Sequence, residues 1–341
     1  MVTSLPTWFA DLIGASVPSD GEEFTTSGRR VVADGEILRA IELVSDAQRQ
    51  TRDTFGFKWH KRDTFEGEVA SNMRRWLVEK YGDVVNSHWL SEHGAEPVLL
   101  DAGCGAALSS IELFGPILKD VRYIGADVSR SVDVARDRFM ERGITAAFIQ
   151  ADLQQLPLPP ESVDLIFSEG VLHHCDDTRA ALTAVTRHLK PGGRILFYVY
   201  RKKGPIREFT DDYIREKLQP MEPQDAWEAV MPLTKLGQLL GELDIEIEVP
   251  ERIDLLQVPA GRINLQRLFY WHVFKAFYRT NMTIDEMNHI NYDWYAPRNA
   301  HRHHEEEVRA WCGDLGLLIE HEKIEEAGIT VIACKQGVTR G

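Results

Sequence analysis

Five short apolar runs constrain this chain more than any other feature: "PVLLDAG", "VRYIGAD", "AAFIQAD", "VDLIFSEG" and "GRILFYVY", all within residues 96–200. Most of them stop at glycine, aspartate or another polar residue. Runs this short, apolar on both faces, fit strands of a parallel sheet that is covered on both sides. Helical stretches lie between them. One is Thr178–Leu189, with Thr178 as N-cap and "KPGG" (Lys190–Gly193) as its stop. Repeated β-α units of this kind predict an α/β, doubly wound sheet with right-handed crossovers.

The remaining chain divides around that core. Over residues 1–95 the pattern is mostly helical, with Phe65, Val69, Met73, Trp76, Leu77 and Val84 at helical spacing. Ahead of it "DTFGFKWHKRDTF", rich in aromatics and glycine, reads as a loop that could act as a lid. Residues 201–303 are too long for a connection and carry many aromatics, so they read as a helical cap insertion. Residues 304–341 return to α/β, with a helix around Glu305–Leu315 and two runs, "LIEHEKI" and "GITVIACK", that can pair at the edge of the sheet. The expected organisation is therefore an N-terminal helical and lid segment (1–95), a ligand-binding core (96–200), a cap (201–303) and the last part of the core sheet (304–341).

Charge and cysteine usage narrow the function. Of the 341 residues, 39 are Lys or Arg and 53 are Asp or Glu, a net charge of −14. That excess of acid disfavours nucleic-acid backbones as partners. The four cysteines, Cys104, Cys175, Cys312 and Cys334, form no CxxC pair. A disulfide framework is not expected, and a reducing compartment fits. With no signal-like start and no long apolar run, the expectation is a cytoplasmic protein without membrane insertion.

The ligand site is expected at the carboxyl ends of the strands. "VLLDAGCGAA" delivers Asp101, and Gly103 and Gly105 then allow a sharp turn and close approach to a ligand. The next strand ends in Asp127, placed to accept from two ribose hydroxyls. The third ends in Asp152, which could accept from an adenine amino group. The fourth ends in "SEGVLHH", Ser168 to His174. A dinucleotide site would want a complete GxGxxG and donors for pyrophosphate, but Leu108 stands where the third glycine would be. A nicotinamide dehydrogenase is thereby disfavoured. Carboxylates with few cations suit a cationic ligand, such as a sulfonium that also carries an ammonium group.

In their order and spacing, "LLDAGCGAA", "GADVS", "ADLQQLPLPPESVDLIFSEGVLHH" and "LKPGGRILFYV" resemble the class I S-adenosylmethionine-dependent methyltransferases. The match spans roughly residues 97–200, with a looser one over 304–336. It implies a Rossmann-like α/β fold whose doubly wound sheet has seven mostly parallel strands, the last antiparallel. It implies S-adenosylmethionine as cofactor, with Asp101 and Gly103 at its methionyl end, Asp127 at the ribose, Asp152 and Leu153 at the adenine, and Val128 as a further cofactor-binding candidate. Gly105 and Ser168 belong to the same cofactor site. Ala107 departs from the family, which often has a third glycine there.

For the acceptor, Glu169 is singled out as general base, beside the expected methyl position, with His173 as a second catalytic candidate. The acceptor-binding candidates are Phe57, Trp59, His174, Tyr200, Tyr295, Arg201 and Arg298. The last two stand for the basic clusters "RKKGPIR" and "RNAHRHH", which suit an anionic acceptor. Aromatic walls, a base and cations together favour C-methylation of an isoprenoid diphosphate, a reaction that resembles that of prenyl diphosphate C-methyltransferases. The aromatic faces would stabilise a carbocation, and Mg2+ would be an optional aid in holding the diphosphate. O- or N-methylation of another secondary metabolite or sugar-linked intermediate is the alternative, and a non-catalytic regulatory or scaffold protein that binds the cofactor is a further one. The aromatic insertion is also a candidate contact for a homo-oligomer.

Overall fold

The computed structural model describes residues 4–40, 44–61, 68–89, 92, 94 and 96–337. Phe65 of the helical pattern lies outside them. The N-terminal zone holds α1 (Thr7–Leu12), β1 (Glu23–Thr26), β2 (Arg29–Asp34), β3 (Ile37–Ala40), α2 (Asp46–His60) and α3 (Glu68–Tyr81). The core follows as β4 (Val98–Ala102), α4 (Leu108–Phe114), β5 (Arg122–Asp127), α5 (Ser131–Glu141), β6 (Ala146–Gln150), β7 (Val163–Glu169), α6 (Thr178–Thr186) and β8 (Leu189–Tyr200). The insertion contains α7 (Pro205–Leu218), α8 (Pro223–Glu242), a β9 (Glu246–Val249) and β10 (Gly261–Asn264) ribbon, α9 (Leu265–His272) and α10 (Ile284–Tyr295). The chain then returns through α11 (Glu305–Asp314), β11 (Leu317–Ile324) and β12 (Gly328–Lys335).

The main sheet runs β1-β2-β3-β6-β5-β4-β7-β8-β12-β11. From β3 to β8 all pairings are parallel, and β12 enters antiparallel between β8 and β11. The seven strands from β6 to β11 make the doubly wound, mostly parallel sheet that the sequence predicts. Its alternating residues feed two cores. Leu100, Ile124, Ile149, Ile166 and Ile195 pack on one face, and Leu99, Tyr123, Phe148, Leu165 and Leu196 on the other. Each such side chain contributes about 1.5–3 kcal/mol by leaving water, which is why these runs hold no polar face.

Three local features differ from expectation. The first 40 residues contribute strands as well as a helix: a meander, β1 to β3, extends the sheet beyond β6. Ser27 and Gly28 both take positive φ, 49° and 75°, in a two-residue turn. Arg39 of β3 then locks the meander to the core, with Nη2 2.7 Å from Asp133 Oδ1 and Nη1 donating to Gln150 at 2.6 Å. The stretch read as a loop, up to His60, is helix α2, started by Ser45, whose Oγ accepts from the Gln48 N–H at 2.9 Å. The helix after the fourth core strand has Asp177, not Thr178, as its N-cap, and it ends at Thr186, so "KPGG" belongs to the start of β8.

The insertion sits on the sheet through an aromatic cluster, with Tyr198 and Tyr200 of β8 packed with Trp227, Tyr292, Trp294 and Tyr295. A buried polar knot joins α7 to α10: Asp211 takes Arg207 Nε at 2.9 Å, Trp294 Nε1 at 2.8 Å and the Tyr295 hydroxyl at 2.9 Å. No described helix is long and apolar enough to cross a membrane.

Candidate active site

A cavity of about 600 Å³ opens beyond the carboxyl ends of the core strands and is closed over by α2, α3, α10 and the segment around α9. One part of its wall comes from the loops after the strands: Gly103, Gly105, Asp127, Val128, Asp152 and Leu153.

The glycine turn is built for close approach. Gly103 takes φ +88°, and a Cβ there would lie 2.1 Å from Val171 Cγ1. The Gly103 and Cys104 N–H groups donate to the Ala126 carbonyl at 2.7 and 2.9 Å, which ties the turn to β5. Ala107 takes the left-handed conformation, φ 58° and ψ 18°, directly before α4. That is the backbone a glycine would adopt there more easily, so the departure changes the residue and keeps the turn. Asp127 accepts from Gly105 N–H at 3.0 Å through one oxygen and from Ser129 N–H at 2.8 Å and Ser129 Oγ at 2.7 Å through the other. Asp152 uses Oδ1 to cap the turn at Gln154 N–H, 2.9 Å away. Burial raises the pKa of both carboxyls. Two desolvated acids beside a glycine cradle fit a ligand with hydroxyl and amino donors and a positive charge, so the residues present suit S-adenosylmethionine.

Two expected cofactor residues lie beneath this wall and are not part of it. Asp101 is buried under the turn, where it accepts from Ser110 Oγ and from the Tyr123 hydroxyl at 2.6 Å. Burial pushes its pKa up to about 7, against the pull of those two donors. Its side chain braces β4 against α4 and β5. Ser168 is likewise buried and donates to the Ala102 carbonyl at 2.8 Å.

The rest of the wall is aromatic and mixed in charge. Trp59 from α2, Trp76 from α3, Tyr198 and Tyr200 from β8, and Tyr270 and Trp271 from α9 all line it. Trp59 closes on the glycine turn, since a Cβ on Gly105 would lie 2.8 Å from its Nε1. Phe57, one turn-face away on α2, packs instead against Trp227 and Tyr292. Tyr295 is held in the Asp211 knot and does not reach the cavity wall.

The catalytic candidates separate sharply. Glu169 lines the cavity, but both its oxygens are engaged, one by Lys80 Nζ and the other by the Tyr81 hydroxyl at 2.5 Å. Burial lowers the Lys80 pKa to about 8, with Glu169 opposing the shift, and the Lys80 ammonium also sits over the Trp76 and Tyr198 rings. His173 is fully buried behind the wall, with its ring 3.7 Å from that of Tyr200 and neither nitrogen hydrogen-bonded among the described residues. His174 does line the cavity. Its Nδ1 lies 2.6 Å from the Asn299 carbonyl, and Nε2 has no partner among the described residues. A carbonyl only accepts, so the proton is on Nδ1 and the lone pair on Nε2. Burial takes the His174 pKa down to about 4, keeping the ring neutral.

The basic clusters do not reach the cavity wall. Arg201 pairs with Glu305 at 3.2 Å, Arg302 with Glu208 and Asp212, and Arg207 is buried in the Asp211 knot. Arg298 is exposed, and its backbone N–H donates to Gln50. Charge runs along a sequence do not reveal which cations already have carboxylate partners. The residues that sequence reasoning missed, Lys80, Tyr81, Lys275 and the Lys58–Asp293 pair, are lone charges or phenols on α2, α3 and α10 or, for Lys275, on the segment after α9. Folding marks them out, by the oppositely charged partner it brings beside Lys80, Lys58 and Asp293 and by the buried position it gives Lys275.

A model of the methyltransferase domain matches residues 100–197. Beyond it, the chain is similar to a ubiquinone/menaquinone biosynthesis C-methyltransferase, UbiE, of Marinomonas sp. (strain MWYL1), 30% identical over 47% of this chain and 69% of that protein. This chain belongs to the class I S-adenosylmethionine-dependent methyltransferase family. Similarity extends to an uncharacterized methyltransferase, YcgJ, of Bacillus subtilis (strain 168), 28% identical over 50% of this chain and 70% of that one. It extends also to a malonyl-[acyl-carrier protein] O-methyltransferase of Serratia marcescens, 32% identical over 43% of this chain and 52% of that one. The methyltransferase thus spans about half to seven-tenths of the length of these relatives. As a member of an enzyme family it is read as a catalyst, and the non-catalytic reading falls away. Among the described residues one grouping has donors close enough to share a cation, His304, Glu305 and Glu306, at the start of α11 and outside the cavity wall.

Proposed function

We propose that this methyltransferase acts on an O–H or N–H group of a small-molecule acceptor in the aromatic part of the cavity, with His174 as general base. The observation that carries this reading is the lone pair on His174 Nε2, fixed by the Nδ1 hydrogen bond to Asn299 and free of any partner among the described residues. S-adenosylmethionine supplies a methyl group on sulfur that is already a good leaving group. Asp127 and Asp152 hold the nucleoside, and Trp59, packed over Gly105, keeps water from the reacting end. With that cofactor bound, the acceptor heteroatom would bond to the methyl carbon as the carbon–sulfur bond breaks and its electron pair stays on sulfur, and the proton lost by the heteroatom would pass to His174 Nε2.

Glu169 is the weaker candidate for that step, because buried donors occupy both of its oxygens. The isoprenoid diphosphate reading is not carried by the cations named for it, since Arg201 is paired and Arg298 exposed away from the cavity wall. A carbon acceptor is the second reading, favoured by similarity to proteins named as C-methyltransferases. The same base would then serve by deprotonating a hydroxyl that activates the neighbouring carbon.

The test is transfer of a labelled methyl group to a panel of hydroxylated and amino compounds. We expect His174→Gln to bind S-adenosylhomocysteine like wild type and to transfer about 100-fold or more slowly, the usual loss of a general base. Transfer within a few-fold of wild type would rule His174 out. Product spectra separate heteroatom from carbon methylation.

A further inference from the structure

Cations on this cavity's wall fall into two groups. Lys58 Nζ lies 2.5 Å from Asp293 Oδ1 and is neutralised there. Lys275, Arg267 and Arg279 line the same cavity, and among the described residues no side-chain nitrogen of the three makes an ion pair or hydrogen bond. Rings stand beside them: Lys275 Nζ is 4.8 Å from the Trp294 ring, the Arg267 guanidinium 5.5 Å from that of Tyr270, and that of Arg279 5.9 Å from that of Phe277.

Lys275 is the telling member. It is 7% exposed, and a lysine at that depth normally has a counter-ion. Its backbone is also held in place: its N–H donates to the Tyr295 hydroxyl at 2.7 Å, and Tyr295 in turn donates to Asp211. The knot between α7 and α10 therefore holds the backbone that carries this side chain. Carboxylates on the same wall are engaged or exposed. Asp293 holds Lys58, Glu325 pairs with Lys323 at 3.0 Å, and Glu286 accepts from the Thr283 N–H at 2.6 Å as part of the α10 cap. Glu326 is exposed.

We infer that the acceptor carries an oxyanion, a carboxylate or a phosphate, which Lys275 receives, with Arg267 and the exposed Arg279 adding positive charge to the same cavity. The inference rests on the proposed methyl transfer and adds the acceptor's chemical class. An ammonium and two guanidinium forks suit such a group through charge-assisted hydrogen bonds, and Tyr270, Trp271 and Phe277 beside them suit an aromatic or otherwise apolar body. Methylation and anchoring then involve different ends of one molecule: His174 at the reacting heteroatom, Lys275 at the acid.

Three probes that share a ring test this: phenol, benzoate and phenyl phosphate, titrated by tryptophan fluorescence into protein saturated with S-adenosylhomocysteine. At least one anion should bind about tenfold or more tightly than phenol, the worth of one charge-assisted hydrogen bond. The order of benzoate and phenyl phosphate tells which oxyanion is meant. Lys275→Met should abolish the preference with S-adenosylhomocysteine affinity unchanged, and Lys275→Arg should keep it. Equal binding of all three probes, or a preference that survives Lys275→Met, overturns the oxyanion site. If S-adenosylhomocysteine binds and no preference appears, the oxyanion site fails and methyl transfer stands. A preference without S-adenosylhomocysteine binding supports the site and counts against methyl transfer.

Discussion

At the scale of single residues, the chemistry depends on which buried charges have partners. Lys80 and Glu169 have 0% and 6% side-chain exposure and hold each other. Removing one partner of such a pair costs about 3–5 kcal/mol because the other is left charged and alone. We therefore predict that Glu169→Gln lowers unfolding stability in urea by that order. Lys80→Met/Glu169→Gln should recover most of it. Full stability with lost transfer would instead make Glu169 the base. Lys275 behaves in the opposite way, since among the described residues it has no ion-pair partner to lose. Burial takes its pKa from 10.5 to about 7, against the attraction of Asp293 on α10 and Asp211 on α7 and with Arg207 and Arg215 on α7 adding to the shift. Between pH 7 and 10.5 the unfolded chain binds the proton and the folded chain does not, so this group makes stability rise with pH. Below pH 7 the folded state bears the whole cost. Lys275→Met should therefore be more stable than wild type at pH 6 by a few kcal/mol, at about 1.36 kcal/mol per pKa unit. That gain should fade towards pH 10. A gain that does not change with pH, or a loss, would contradict this.

At the scale of elements, the strands of the core were legible because both faces are buried, which leaves an uninterrupted apolar signature in "VLLDA" and "VDLIFSE". The N-terminal meander was not, because its strands are four to six residues long with exposed polar positions. Its signals were nonetheless present: Ser27-Gly28 and Asp34-Gly35 are hairpin dipeptides flanked by β-branched residues. Helix α2 was hidden by Gly56 and its aromatics, yet Ser45 followed by Gln48 is an N-terminal capping signature. That helix matters for function, because it brings Trp59 onto the glycine turn. A Cβ at Gly105 would meet Trp59 Nε1 at 2.8 Å and sit on a backbone with φ +52°. The left-handed conformation alone costs about 1–2 kcal/mol for a residue with a side chain. Gly105→Ala should weaken S-adenosylhomocysteine binding about tenfold or more by calorimetry. Unchanged affinity would mean that α2 does not close on the cofactor end.

At the scale of the whole molecule, the sheet places acidic groups at its strand ends and the insertion roofs them, so one cavity offers a place for both proposed kinds of recognition. The cofactor half was legible because Gly103, Gly105, Asp127 and Asp152 lie within one stretch of chain. The acceptor half was not, because it assembles residues from α2, β8, α9 and α10 that no spacing links. Runs of basic residues pointed to Arg201 and Arg298, but the carboxylates of α7 and α11 neutralise much of those runs. Lys275, without an ion-pair partner among the described residues, lies between Trp271, Phe274 and Phe277, where a sequence shows only an aromatic segment. A crystal structure with S-adenosylhomocysteine tests the central claim most directly. We predict the nucleoside between Asp127 and Asp152, with its sulfur open to the space before His174. A nucleoside bound elsewhere, or a sulfur walled off from His174, would contradict the account.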